Sequence, residues 1–241
     1  MPNLRLLALF AHPDDEAFPV GGLLARNVAE GRRVRLVTTT LGEEGEIRQE
    51  GSATKDTLGE VRRFELACAV RALRLESHAL LEYRDSGMAG WEANSHPRAY
   101  INAPDDVIVE RFVREIREFK PQVVLTFEPG GLYGHPDHIA VCKHATQAFD
   151  LASDSTAFPD QISGGLTPHA PQRLFYSARP KGFRLEWAQK LRAAGEEWPL
   201  PTPDQLVHGN PPEEIHLSLD VSDQLETKMA CIICHRTQVA P

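Results

Sequence analysis

Two short clusters of metal-chelating side chains, His12-Pro13-Asp14-Asp15-Glu16 and His135-Pro136-Asp137-His138, lie far apart in the chain. A histidine with a carboxylate three residues on can offer one nitrogen and one oxygen to a divalent ion, and a second cluster can complete the set. Each cluster is weak alone. His12 with Asp15 arises readily by chance, Glu16 suits a helix N-terminus by its charge, and His135 and His138 suit the start of a helix as ordinary polar residues. Together they supply two histidines and a carboxylate as ligands, with a spare acid and a spare histidine, which is the inventory of a hydrolytic metal site with open positions.

Ligands so distant can meet only if the fold brings both clusters to one place. Each follows an apolar run, residues 4–11 and 123–127, that reads as a β-strand. In an open α/β sheet the carboxyl ends of neighbouring strands face one crevice. The intervening chain alternates as that arrangement requires: a helix at 22–30 closed by Gly31, a strand at 34–40, an amphipathic helix at 58–73, a strand at 79–83, and a helix at 105–119 with Asp105 as its cap and Pro121 as its stop. A further helix, 137–149, opens within the second cluster. The order implies an α/β, Rossmann-like fold, a mostly parallel sheet with helices on both faces. One domain over residues 1–241 is expected, its core at about 1–150 and a less regular part at 151–241; there a Pro-rich stretch, 198–212, precedes an expected strand at 214–220 and a helix at 222–235.

Composition narrows the function classes. The 241 residues are 41% apolar and 25% charged, enough for one large core burying roughly 70% of its unfolded surface. The 34 acidic residues outnumber 26 basic ones, giving −8, and no basic stripe could neutralise a phosphate backbone, so nucleic acid is not an expected partner. The N-terminus opens on a strand rather than a signal sequence and no apolar stretch has membrane-spanning length, so no membrane partner and a cytoplasmic location are expected by default, with a homo-oligomer left open.

The four cysteines do not read as a disulfide framework. Cys68 and Cys142 fall in helical patterns as small buried hydrophobes, and Cys231 and Cys234 are expected to share one buried helix face at i, i+3. Two long segments, 41–57 and 84–104, carry Gly, Glu, Trp91, His96 and Tyr100 and suit the walls of a substrate pocket.

At these residues the chain resembles the LmbE-like, or PIG-L, zinc-dependent N-acetylglucosaminyl deacetylases. Ala11-His12-Pro13-Asp14-Asp15-Glu16 and Gly134-His135-Pro136-Asp137-His138 carry the likeness, and Thr40-Leu41-Gly42-Glu43-Glu44-Gly45-Glu46, Arg62-Arg63-Phe64-Glu65-Leu66, Asp85-Ser86-Gly87 and His235-Arg236-Thr237-Gln238 extend it over most of the chain. The resemblance implies one Zn²⁺ per chain held by His12, Asp15 and His138, with other divalent metals able to substitute. It implies Asp14 as general base on the attacking water, His135 and Tyr133 as oxyanion donors, and Asp137 as the carboxylate orienting a histidine. Asp14 or His135 would protonate the leaving amine. Arg62 and Asp85 would grip hydroxyls of a small glycoside, from which the N-acetyl group leaves as acetate. His235 is expected near the site or as a helix cap. Many relatives continue past Gln238, so a chain ending at Pro241 is expected to be trimmed or to lack a terminal lid.

Two other classes fit parts of the pattern. A histidine–carboxylate–histidine set also serves non-haem Fe(II) oxygenases, though these favour all-β jelly rolls. A non-catalytic nucleotide-binding module would share the sheet, but its G-x-G-x-x-G after the first strand is missing: Gly21-Gly22 comes too late and Gly130-Gly131 leads into the second cluster.

Overall fold

The computed structural model describes residues 4–239. The apolar run at the N-terminus forms β1 (Arg5–Phe10), buried throughout from Leu6 on, as a strand covered on both faces must be. It is followed by α1 (Gly21–Ala29), β2 (Arg33–Thr40), α2 (Leu58–Ala72), β3 (Ser77–Tyr83), α3 (Asp105–Phe119) and β4 (Val123–Phe127). A short kinked turn, α4 (Gly131–Gly134), leads into α5 (Pro136–Leu151), and β5 (Arg173–Ser177) completes a five-stranded sheet. The strand order is β3-β2-β1-β4-β5 and every pairing is parallel. The arrangement is the Rossmann-like one expected, and an all-β jelly roll is excluded.

The chain order reverses between β1 and β4, so their carboxyl ends flank the topological switch point, where a crevice opens in such sheets. Both chelating clusters leave the sheet there. Helices α1 and α2 pack with α9 (Leu225–Cys234), while α3 packs with α5 on the other side. On α3, Ile108, Phe112, Val113, Ile116 and Phe119 recur at helical spacing and are all buried. Asp105 does not cap that helix; Pro104 holds the cap position, and the Asp105 carboxylate reaches across to Lys143 and to His144 on α5.

The irregular region differs from expectation in two ways. Residues 173–177 form the edge strand β5, whereas 214–220 pair with nothing in the sheet despite alternating Ile215, Leu217 and Leu219; Leu217 and Leu219 lie exposed. The remaining elements are short: α6 (Pro159–Ser163), α7 (Phe183–Ala193), α8 (Pro203–Leu206) and α9 (Leu225–Cys234). Among the described residues no helix is long and apolar enough to cross a membrane.

The cysteine expectation is corrected. Packing of α2 against α9 brings the Cα atoms of Cys68 and Cys234 to 5.6 Å, within disulfide range, and the two are bonded; only Cys142 and Cys231 remain as free, buried thiols. A link between residues 166 apart follows from helix packing that the local pattern does not contain.

Candidate active site

The turn after β1 carries the first cluster inward. The His12 backbone N–H donates to Asp15 Oδ2 at 2.7 Å, folding the carboxylate back toward its own imidazole. Asp14 sits at φ 119°, a region that non-glycine residues reach at a cost of about 1–3 kcal/mol and that clusters at functional sites. The strain is held from several directions. Asp14 N–H donates to Glu16 Oε2 (3.0 Å), its carbonyl accepts from Ala17 and Phe18, and its carboxylate meets Arg62 Nη2 at 3.1 Å.

After β4 the chain turns through Gly131 and Leu132, the latter at φ 62°. The Glu128 carboxylate accepts the N–H groups of Gly130 and Leu132, a buried clamp that fixes the loop carrying Tyr133. His135 caps α5 by accepting Asp137 N–H at Nδ1 (3.2 Å), which leaves its proton on Nε2. His138 points back under the loop: Nδ1 lies 3.2 Å from the Gly131 carbonyl and so carries the proton, and its ring stacks on Phe127 with centroids 3.9 Å apart.

Hydrogen-bond partners settle which nitrogens are free. His12 Nε2 faces Asp137 Oδ2 at 3.1 Å and Asp85 Oδ1 at 3.5 Å, so the proton sits there and Nδ1 offers a lone pair inward. His138 Nε2 does the same. These two nitrogens are 3.1 Å apart, and Asp15 approaches them at 3.4 Å (from His138) and 3.6 Å (from His12). With His12 neutral, as a metal ligand is, three acceptors face one point, an arrangement that a cation among them would relieve; without one, the raised His12 pKa places a proton there instead. Tetrahedral zinc with ligand distances of about 2.0–2.1 Å separates its donors by about 3.4 Å, so the spacing fits such an ion. His12, His135 and His138 also form a buried group with ligand atoms close together, as do His12, Asp85, His135 and Asp137.

Charge points the same way. Asp15, Asp85 and Asp137 are buried and Asp14 nearly so, against one permanent cation, Arg62, and uncompensated buried charge is costly. Burial favours the protonated form of Asp15, and this outweighs His12 enough to push it up to about 8. Burial alone would make His12 neutral, but Asp85, Asp137 and Asp15 hold its pKa well above the ordinary value. Burial and nearby His12 push His135 down to about 3, so it stays neutral. Burial also raises the Tyr133 phenol, with Asp15, Asp14 and Asp85 adding to it, and keeps its proton in place.

Arg62 and Asp85 are both drawn into this cluster. Arg62 donates to the carbonyls of Gly42 (2.8 Å) and Pro13 besides meeting Asp14, and a Cβ at Gly42, itself at φ 68°, would collide with its guanidinium. Asp85 accepts from Gly87 (2.8 Å) and Glu44 (3.1 Å), pinning the 41–57 segment, while His12 and His135 overcome burial to hold its pKa low. Asp137 Oδ2 also takes the Ser86 N–H at 3.0 Å, and its Oδ1 is buried without a partner. Of the expected pocket walls, Tyr100 is core, bonded to His144 at 2.8 Å, whereas Trp91 and His96 are exposed.

Some of the supporting residues escaped the sequence reading. Glu128 was legible only as a carboxylate before Pro-Gly-Gly at a strand end. Glu65 on α2 accepts both the N–H and the hydroxyl of Thr237 at 2.7 Å, a tie across 172 residues with no local signature.

A parallel sheet with a histidine–carboxylate cluster and a strained aspartate at its switch point is an arrangement that metal-dependent hydrolases use. The family model described as PIG-L, GlcNAc-PI de-N-acetylase, matches residues 7–149, and the chain belongs to that family. It is similar to the 1D-myo-inositol 2-acetamido-2-deoxy-alpha-D-glucopyranoside deacetylase of Geodermatophilus obscurus, with 39% identity over 250 residues, covering 99% of this chain and 84% of the relative. Two solved structures share the fold at TM-score 0.67 and 20% identity. They are the N,N'-diacetylchitobiose deacetylase of Pyrococcus horikoshii, covering 98% of this chain and 70% of its own, and the 4-carboxy-2-hydroxymuconate hydratase of Pseudomonas putida, covering 96% and 78%. A hydratase at equal likeness shows that this fold alone does not choose the reaction.

Proposed function

We propose that the protein removes the N-acetyl group from a small N-acetylglucosaminide, giving the free amine and acetate, with zinc held by His12, Asp15 and His138. The observation that carries the reading is the convergence of the two free imidazole nitrogens and the Asp15 carboxylate at 3.1–3.6 Å beside the strained Asp14. Membership of the PIG-L family and the activity named for the inositol glycoside relative support the substrate class.

A divalent ion held by His12, Asp15 and His138 would polarise the acetamide carbonyl and make water a better nucleophile near neutral pH. Asp14, kept off the three-ligand set and oriented by Arg62, takes the proton as the water oxygen bonds to the acetamide carbon. Burial raises its pKa against the pull of Arg62, His235 and His12, which makes it a better base and then a better acid than an exposed aspartate. His135 Nε2–H and the Tyr133 hydroxyl donate to the developing oxyanion. Asp14, which then holds that proton, returns it to the nitrogen as the C–N bond breaks. Asp137 and Asp85 keep the His12 proton on Nε2. Arg62, whose Nε is buried without a partner, and Asp85 are the residues that meet the sugar hydroxyls.

The test is acetate release, with metal content measured alongside, from N-acetylglucosaminyl inositol, an N-acetylglucosamine glycoside of a hydroxy acid, and a simple non-sugar acetamide. The glycosides should be hydrolysed and the plain amide should not; preference for the plain amide ends the sugar reading.

A further inference from the structure

The turn that strains Asp14 is supported from the far end of the chain. Glu16 is fully buried and uses both carboxylate oxygens: Oε2 accepts the Asp14 N–H at 3.0 Å, and Oε1 accepts from His235 Nε2 at 2.6 Å. His235 is itself fully buried, directly after α9, and its other ring nitrogen has no partner. Its position is fixed by what surrounds it. Cys234 is bonded to Cys68 on α2, and Thr237 is doubly hydrogen-bonded to Glu65 on the same helix. That helix also carries Arg62, which grips the Asp14 carboxylate. Asp14 is therefore held at its amide by one end of this assembly and at its side chain by the other.

Glu16, Cys231 and His235 could pass for a second metal site, since their ligand atoms lie close together. The 2.6 Å contact argues otherwise, because it is a hydrogen bond with no room for an ion between nitrogen and oxygen.

We propose that His235, acting through Glu16, is a positioning residue for the reaction: the pair holds the backbone of Asp14 at its strained φ and so aims the carboxylate at the attacking water. The proposal rests on Asp14 being the general base. A buried Glu16 without His235 loses the donor that orients it, and the Asp14 amide then loses a fixed acceptor. Misplacement of a catalytic group by about 1 Å can lower turnover about 10²-fold without touching the chemistry of the group.

Acetate release, metal content and thermal unfolding are measured for His235→Ala, His235→Gln, Asp14→Asn and the double variant His235→Ala/Asp14→Asn. His235→Ala should lower kcat about 10- to 100-fold while KM and metal content stay near the unmodified values. His235→Gln places an amide N–H near the site of Nε2 and should restore most of kcat, although it lacks the ring just as alanine does. In the Asp14→Asn background, His235→Ala should add no further loss. Unmodified kcat in His235→Ala overturns the proposal, and so does an equal loss in the alanine and glutamine variants, which is the mark of packing alone. If His235→Ala does not fold, Glu16→Gln against Glu16→Ala makes the same comparison: the amide should retain most of kcat and the truncation should not, and equal rates overturn the proposal. Full activity in Asp14→Asn alone removes the general-base reading, and this proposal with it, whatever the His235 variants do.

Discussion

After β1 the chain turns through Asp14 at φ 119°, and after β4 it turns through Leu132 at φ 62°. Each of these non-glycine residues has its amide held by a glutamate, Glu16 in the first turn and Glu128 in the second. The origin of the remaining support separates them. The second turn closes on itself, with Glu128 four residues away and His138 Nδ1 returning to the Gly131 carbonyl. The first depends on Arg62 from α2 and on His235, 219 residues beyond Glu16. The loop bearing His135 and His138 is a local structure, whereas the placement of the strained aspartate is a property of the whole fold. Damage far from the crevice should therefore reach the first turn, with Asp14, before it reaches the second, with His138.

The sharpest break in this comparison is expected from Asp14→Ala set beside His138→Ala. The first should cost about 10²–10⁴ in kcat while keeping one metal per chain, and the second should lose the metal, read by elemental analysis. Loss of metal in both would place Asp14 among the ligands. Next in size is removal of the Cys68–Cys234 link by serine at both positions. Freeing a loop this long should lower stability by about 2–4 kcal/mol in urea unfolding. Glu128→Ala is the converse lesion. It leaves the buried Leu132 N–H without an acceptor, at about 1–3 kcal/mol, and should weaken metal retention in a chelator challenge more than the serine pair does.

The smallest effect expected is a displacement along the pH axis. Arg62 favours the ionised form of Asp14 against the burial that raises its pKa. Without the guanidinium, in Arg62→Gln, the proton is held to higher pH. Activity that needs the carboxylate should then fall earlier as pH is lowered, moving the acid limb of the kcat/KM profile upward. An unmoved limb would show that Arg62 does not govern the base.

The same division explains what could be read from the sequence. The strands feeding both clusters, helices α1, α2, α3 and α5, and the parallel order are all written in local apolar periodicity. Expected bounds for α3 and β4 coincide with the structure, and those of β1, β2 and α2 fall within a residue. His12, Asp15, His135 and His138 were legible because their types and spacing are themselves the signal. What eluded the reading is long-range or lacks burial. The edge strand Arg173–Ser177 has an apolar run of only three residues, largely exposed, and the alternating 214–220 segment mimics a strand whose partner the sheet does not provide. The Cys68–Cys234 bond and the ties of Glu65 to Thr237 and Glu16 to His235 depend on how α2 and α9 pack, which no window of neighbouring residues encodes.

The Glu16–His235 contact also bears on the order in which the molecule is made. Synthesis runs from the N-terminus, and contacts of such sequence separation close late because a long loop must first be ordered. A nascent chain that has completed β1 to β5 can already pair its strands and close the Glu128 loop, but the carboxylate of Glu16 still waits for an imidazole not yet synthesised. The sheet can thus form before the crevice is complete, and α9, which follows all the strands, is the helix that makes the earliest turn rigid.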